Sequence, residues 1–394
     1  MRTLSLLTIL TSFAHAQDFL HYKFDGNCSN EVINYANGPQ ALPQNGVLSS
    51  SSTLSPFQTG VFGGALAGGN ISTSVGPVFH NRVTTGWNPS TQPVTGDLTM
   101  AWFMRQRNLP ATSLAYLMGA PTGGFRLFTN GVGGTGLYQR VILASGGNGT
   151  NASIANDFFL PGTVFDVQAA AAQGWVHIAM VVDSAAQTAI WYANGQPVLT
   201  LNSVPGALIN AAGPFMLGAY STAATAGGSP YDLDEFVMSF RAYTPAEILL
   251  LSLAPKAGDG DYQSGTSTQC GTLVLGSSGG APSFGNAAYG LDLTSSGPSV
   301  YALLFGFDRC TFGGILPLPM DAGILAPVAT GCTLLTDQLA TLSGVMASSS
   351  ANLPFPIGAS AGFAGLQFFS QAVALEVASG ALSASNGFVL QVGW

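Results

Sequence analysis

Acid–base catalysis needs titratable side chains gathered within hydrogen-bond reach of one another. Beyond residue 16 the chain offers three histidines, His21, His80 and His177, and four glutamates, Glu31, Glu235, Glu247 and Glu376. They are scattered through 394 residues. Two carboxylates at alternating strand positions could cleave a glycosidic bond, one as nucleophile and one as acid. Asp232-Leu-Asp234 has that alternation, but no glutamate continues it on the same face. Gly358-Ala-Ser360-Ala-Gly362 fits the nucleophile-elbow pattern G-x-S-x-G, which needs a strand-turn-helix and a later histidine. No histidine follows it. Gly131 to Gly136 fits G-x-G-x-x-G, yet Gln139 to Leu143 continues as a strand, so a loop is expected there rather than a dinucleotide site. His177 alternates with the apolar Val176 and Ile178 and reads as a framework histidine. Nothing assembles into catalytic machinery, and the expectation is a protein that binds rather than an enzyme.

The elements that would position such residues are strands. Period-two alternation and β-branched or aromatic runs mark Leu98–Met104, Trp175–Val182, Thr188–Tyr192 and Phe236–Phe240, most of them bounded by Gly, Asn, Pro or Asp. Asn194-Gly195 lies between two such runs and predicts a type I′ hairpin. Thr244-Pro245-Ala246-Glu247 predicts one helix start, with Thr as N-cap and Glu at N3. Only 7% of residues are charged, while glycine reaches 51 residues. Neutral hydroxyls and amides must therefore wet the surface. A net charge of −8 with no basic cluster excludes a general attraction to nucleic acid.

Residues 1–16 read as a signal peptide: Arg2, an apolar run from Leu4 to Phe13, then Ala14-His15-Ala16. The expectation is a secreted, extracellular or cell-surface protein without a membrane span. Cys28, Cys270, Cys310 and Cys332 then meet an oxidising compartment, and three pairings are open. Three of them lie in the last third, so at least one bridge is expected inside it. Residues 255–269, polar and punctuated by glycine, read as a linker. From Thr266 onward there is neither lysine nor histidine, and short apolar strands alternate with Gly/Pro/Ser turns, as in a second β-sandwich.

Several ordered motifs carry a family resemblance. Leu20-His-Tyr-Lys-Phe-Asp-Gly-Asn27, Asp97–Arg105 with Trp102, Gly174-Trp-Val-His-Ile-Ala179, Trp191-Tyr-Ala-Asn-Gly195, Phe215-Met-Leu-Gly218 and Tyr231–Glu247 together resemble laminin-G-like, concanavalin A-like jelly rolls. The resemblance covers about residues 18 to 253. It implies an all-β fold over 17–254, two stacked antiparallel sheets, followed by a smaller β-sandwich over 270–394. The latter resembles a C-terminal domain recurrent in secreted proteins of environmental bacteria, and its position is that of a surface-retention or sorting module. Some folds of this type are glucanases, but their E-x-D-x-E run is absent here. Others bind glycans or protein partners, and many carry one calcium ion. Neighbouring first and last strands would bring Asp25 and Asn27 near Asp232 and Asp234 as calcium ligands. Trp87, Tyr116, Tyr138 and Tyr220, in or beside loop-like segments, are the candidates for stacking on a sugar. The leading expectation is an extracellular protein that recognises a carbohydrate or a protein partner. The alternatives are an envelope or matrix component without a discrete ligand and, third, a glycan-active hydrolase.

Overall fold

A computed structural model describes residues 18–25, 29–36, 44–50, 55–69, 81–107, 115–122, 124–130, 138–142, 157–220, 229–263 and 270–394. Residues 1–16, read as a signal peptide, Asn27, Cys28 and the glycine motif at 131–136 lie outside the described residues.

The N-terminal alternation is realised as two packed antiparallel sheets. The first runs Gln196–Asn202, Thr188–Ala193, Val176–Asp183, Leu98–Gln106, Tyr231–Ser239, Gly64–Leu66 and Phe57–Thr59, and the opening strand Asp18–Tyr22 also pairs with Tyr231–Ser239. The second runs Asp157–Pro161, Tyr138–Ile142, Arg126–Asn130, Ala115–Gly119, Met216–Leu217, Asn81–Thr84, Gly46–Ser50 and Glu31–Val32. Register sets the core: Ile178 faces Trp102 and Met180 faces Met100 across one strand pair. Trp87, Trp102, Trp191, Phe125 and Phe215 join the same apolar cluster between the sheets.

The central strands of the first sheet, Leu98–Gln106, Val176–Asp183 and Tyr231–Ser239, are buried on both faces, which alternation alone does not require. Their outer face is covered by helix Pro245–Leu253, whose Ile248 and Leu251 pack with Ala101, Ala179, Val181, Tyr192, Val237 and Tyr243. The helix starts as its sequence predicts. Glu247 N–H donates to Thr244 Oγ1 at 3.3 Å, and Thr244 N–H donates to Glu247 Oε2 at 2.8 Å. The Asn194-Gly195 turn has φ of 48° and 77°, the two positive values a type I′ hairpin needs.

The C-terminal domain is a second sandwich. A five-stranded sheet runs Gly258–Tyr262, Leu382–Gln391, Gln367–Glu376, Ser299–Gly306 and Ala340–Met346. It packs on a three-stranded sheet, Val274–Ser278, Gly290–Thr294 and Ser350–Pro354, around Leu275, Leu291, Leu303 and Leu390. The stretch read as a linker over 255–269 departs from that reading, since Gly258–Tyr262 is an edge strand of this domain. Its glycines serve close approach rather than slack: a Cβ on Gly258 would come 2.7 Å from Tyr35 O, and one on Gly260 2.5 Å from Asn34 O. A small apolar cluster of Ile33, Tyr35, Tyr262, Leu335, Phe369 and Val389 joins the two domains. Cys270 and Cys332 form a disulfide within the last third, and no described cysteine is free. Among the described residues no helix is long and apolar enough to cross a membrane.

Candidate functional site

With the centre of the first sheet covered by the helix, the second sheet supplies an outer face on which a ligand could lie. Strand Ala115–Gly119 turns Ala115 and Leu117 into the core and Tyr116 outward. Antiparallel pairing sets Tyr116 across from Phe128, with ring centroids 5.5 Å apart. Phe128 in turn faces Arg140, whose guanidinium donates to Asp157 Oδ1 at 2.6 Å and also to Asp157 Oδ2. From the end of another strand Tyr220 closes on Tyr116, centroids 4.2 Å apart, and Arg126 stands 5.0 Å over the Tyr220 ring. Gly119 permits this approach: a Cβ there would meet Phe125 O at 2.5 Å and Tyr220 Cβ at 3.0 Å. Tyr116, Arg126 and Tyr220 all remain partly exposed. Two phenol rings and a guanidinium thus form one contiguous patch, apolar on ring faces and donor-rich at its rim.

The structure therefore brings together two of the four expected aromatics. Trp87 is a correction. It is fully buried, packed edge-on to Phe19 at 5.0 Å and against Phe215 at 5.4 Å, with Nε1 donating to Gln92 O at 2.9 Å. An indole of that size gains more from the core than from a wet loop once its N–H has an acceptor. Tyr138 lies on Tyr138–Ile142, paired with Asn130, and its side chain is outside the described part.

Three of the four expected calcium residues are also placed, and Asn27 lies outside the described residues. Asp25 Oδ1 accepts from the Gly64 N–H. Asp234 Oδ2 accepts from Val61 N–H at 2.6 Å, and Oδ1 from Glu235 N–H at 2.8 Å. Asp232 stands apart: Oδ1 accepts from Gly68 N–H at 2.8 Å, and Oδ2 from Arg105 Nη2 at 3.1 Å. A calcium shell takes six to eight oxygens, most of them free to turn toward the ion. Here oxygens of all three carboxylates are engaged in pinning the 60–68 segment by its backbone N–H groups. No group of three His, Cys, Asp or Glu among the described residues could hold a metal ion. Both oxygens of Asp232 and of Asp234, and one of Asp25, thus already accept from backbone or guanidinium donors.

Sequence reasoning missed the charged junction behind these carboxylates. Lys23, fully buried, sits 3.4 Å from Glu235 Oε2 and donates to Lys256 O at 2.6 Å. Lys256 Nζ meets Asp18 Oδ2 at 2.6 Å, and Tyr243 O–H donates to Asp18 Oδ1. Burial and the Lys23 charge push the His21 pKa down to about 4. His21 is therefore neutral at pH 7, and its 3.4 Å contact to Glu235 Oε2 is a hydrogen bond from Nε2–H rather than an ion pair. Burial would raise Glu235, but Lys23 and His21 outweigh it and hold the carboxyl below its usual range. Asp234 is held well above its usual range by burial and by the Glu235 charge. Glu235 itself has φ 47°, at a bulge between Asp234 and Val237. The signal lay in His21, Lys23 and Asp25, which alternate through the end of the opening strand and the residues just after it, a pattern that ordinarily marks a solvated face.

Residues 80–249 match the profile described as the concanavalin A-like lectin/glucanases superfamily. Among solved structures, domain 4 of AbnA, a GH43 extracellular arabinanase from Geobacillus stearothermophilus in complex with arabinotriose, is 16% identical at a TM-score of 0.40. The alignment covers 60% of this chain and 99% of that domain. The binding domain of botulinum neurotoxin DC, solved with rat synaptotagmin II, is 11% identical at a TM-score of 0.40. That alignment covers 66% of this chain, which spans 57% of the toxin domain. The SAP-like pentraxin of Limulus polyphemus is 17% identical at a TM-score of 0.31, over 48% of this chain and 80% of that one. None of the curated proteins matches this chain. The profile match over residues 80–249 and the sheet topology agree on a concanavalin A-like jelly-roll fold there.

Proposed function

We propose that this is an extracellular binding protein whose jelly roll holds a carbohydrate on the outer face of its second sheet. The observation that carries the reading is the partly exposed Tyr116–Tyr220 pair, 4.2 Å between centroids, with Arg126 5.0 Å over Tyr220. Sugar C–H faces fit ring surfaces, and hydroxyls accept from a guanidinium and exchange hydrogen bonds with phenols. The scarcity of surface charge suits a neutral ligand.

The test is a glycan array with the full secreted chain, followed by titration of the best hit. Tyr116→Ala with Tyr220→Ala should weaken that binding by about 30-fold or more, the usual cost of truncating ~2 kcal/mol of aromatic anchor. An array empty across chemically diverse sugars, or affinity unmoved in the double variant, refutes the reading. The first result would favour an envelope component without a discrete ligand.

A further inference from the structure

A second concavity lies away from the aromatic face, where the two domains meet. It has a volume of about 480 Å³. Asp25, Phe62 and Gly63 line it from the jelly roll, and Ala364, Gln367 and Gln391 from the C-terminal domain. Each domain supplies only half of the wall.

Two of its polar side chains, Asp25 and Gln391, present acceptor oxygens. Asp25, 8% exposed, uses Oδ1 for the Gly64 N–H. Gln391 is 2% exposed, and its Oε1 is buried with no hydrogen-bond partner. The amide orientation is fixed by Gly365 O, 3.5 Å from Nε2, because the flipped amide would set two acceptors against each other. An orphaned buried acceptor is costly, so a donor reaching it is favoured. Gln367 is held in place by donating to Tyr35 O–H at 2.6 Å. Phe62 offers an apolar wall, braced edge-on by Phe103 at 5.7 Å.

We infer that this interdomain cleft is a second ligand site, built for one neutral sugar unit that donates hydroxyls to Asp25 and Gln391 and lays its C–H face on Phe62. Lys23, Arg309 and Glu235 all act electrostatically on Asp25, so its surroundings are of mixed sign and suit a neutral ligand. Burial and the Glu235 charge push the Asp25 pKa up to about 7. Near neutral pH its carboxyl can therefore accept from a hydroxyl or donate to one. The volume lies within the range of small-molecule sites, about 300–1,000 Å³.

The site is independent of the Tyr116–Tyr220 face, and the experiment separates them. Saturation-transfer NMR on the full chain would use D-glucose, D-galactose, D-xylose and L-arabinose as probes. At least one should bind saturably. Ala364→Trp plugs the cleft from an exposed rim position, so folding is spared, and it should weaken binding at least fivefold. Gln391→Leu should do the same by removing the acceptor. Tyr116→Ala with Tyr220→Ala should leave this signal intact. Absence of saturable binding by all four sugars, or binding that Ala364→Trp leaves unchanged, overturns the inference. Loss in the tyrosine variant alone would assign the signal to the outer face and overturn it equally.

Discussion

Replacing His177 with phenylalanine measures the cost of a sealed imidazole. His177 stands on Val176–Asp183, across from Phe103, with ring centroids 4.9 Å apart. It is 2% exposed, and its Nδ1 has no hydrogen-bond partner. Burial lowers its pKa from 6.5 to about 3. Because the folded value is the depressed one, the unfolded chain takes up a proton first as pH falls. This residue's contribution is whole above about pH 6.5 and is lost progressively from there toward pH 3. At ~1.4 kcal/mol per pH unit, the loss reaches ~3 kcal/mol at about pH 4. His177→Phe abolishes the proton uptake and keeps a ring against Phe103. Urea unfolding of both proteins should give stabilities within ~1.5 kcal/mol of each other at about pH 7.5, as a near-isosteric swap allows. The gap should then move by ~3 kcal/mol in favour of the variant by about pH 4. A gap that stays flat across that range refutes the buried neutral imidazole and reopens His177 as a group that titrates in the folded protein.

Two further outcomes follow from the same geometry. Cys270→Ala with Cys332→Ala opens a loop of 62 residues, which the chain-entropy account values at ~4 kcal/mol. Its thermal midpoint should fall by several degrees, and an unchanged midpoint would show that the C-terminal sandwich does not need the bridge. Chelation by EDTA should leave the midpoint within about 1 °C, because oxygens of Asp25, Asp232 and Asp234 are occupied by backbone N–H and guanidinium donors. A clear fall on chelation would mean that a cation shares those oxygens.

Local features were legible because local physics decides them. The Asn194-Gly195 turn needs two positive φ values, and the Thr244–Glu247 cap needs only residues three apart. The all-β class and the apolar strand pair Leu98–Gln106 with Val176–Asp183 follow from alternation and residue type. What failed was exposure, which is settled by partners far away in the chain. Trp87 sits among turn residues yet fills the core, because Phe19 and Phe215 arrive from other strands. Tyr116 and Tyr220 are far apart in the chain, and the strand pairing of Met216–Leu217 with Ala115–Gly119 makes them one patch. The glycines at 258 and 260 looked like slack and proved to be clearance for the backbone of residues 34 and 35.

Where the charges went ties these points together. Asp18, Lys23, Asp25, Glu235, Lys256 and Arg309 are all buried in a chain that is only 7% charged. Breaking one member of such a network leaves its partner buried and unpaired, at a cost of about 3–5 kcal/mol. Lys23 donating to Lys256 O and Lys256 pairing with Asp18 fasten the opening strand to the chain leaving the jelly roll. Arg309 reaches Glu31 across the junction at 3.7 Å. Charge in this protein therefore fixes how one sandwich sits on the other. Long-range steering at the surface is weak, and in the proposed sites recognition falls to rings, amides, hydroxyls and the Arg126 guanidinium. That is the chemistry of the Tyr116–Tyr220 face and of the acceptor-lined cleft. The junction that consumes the charge also builds the cleft, because the segment Asp25 pins supplies Gly63 and Gly64 to its wall.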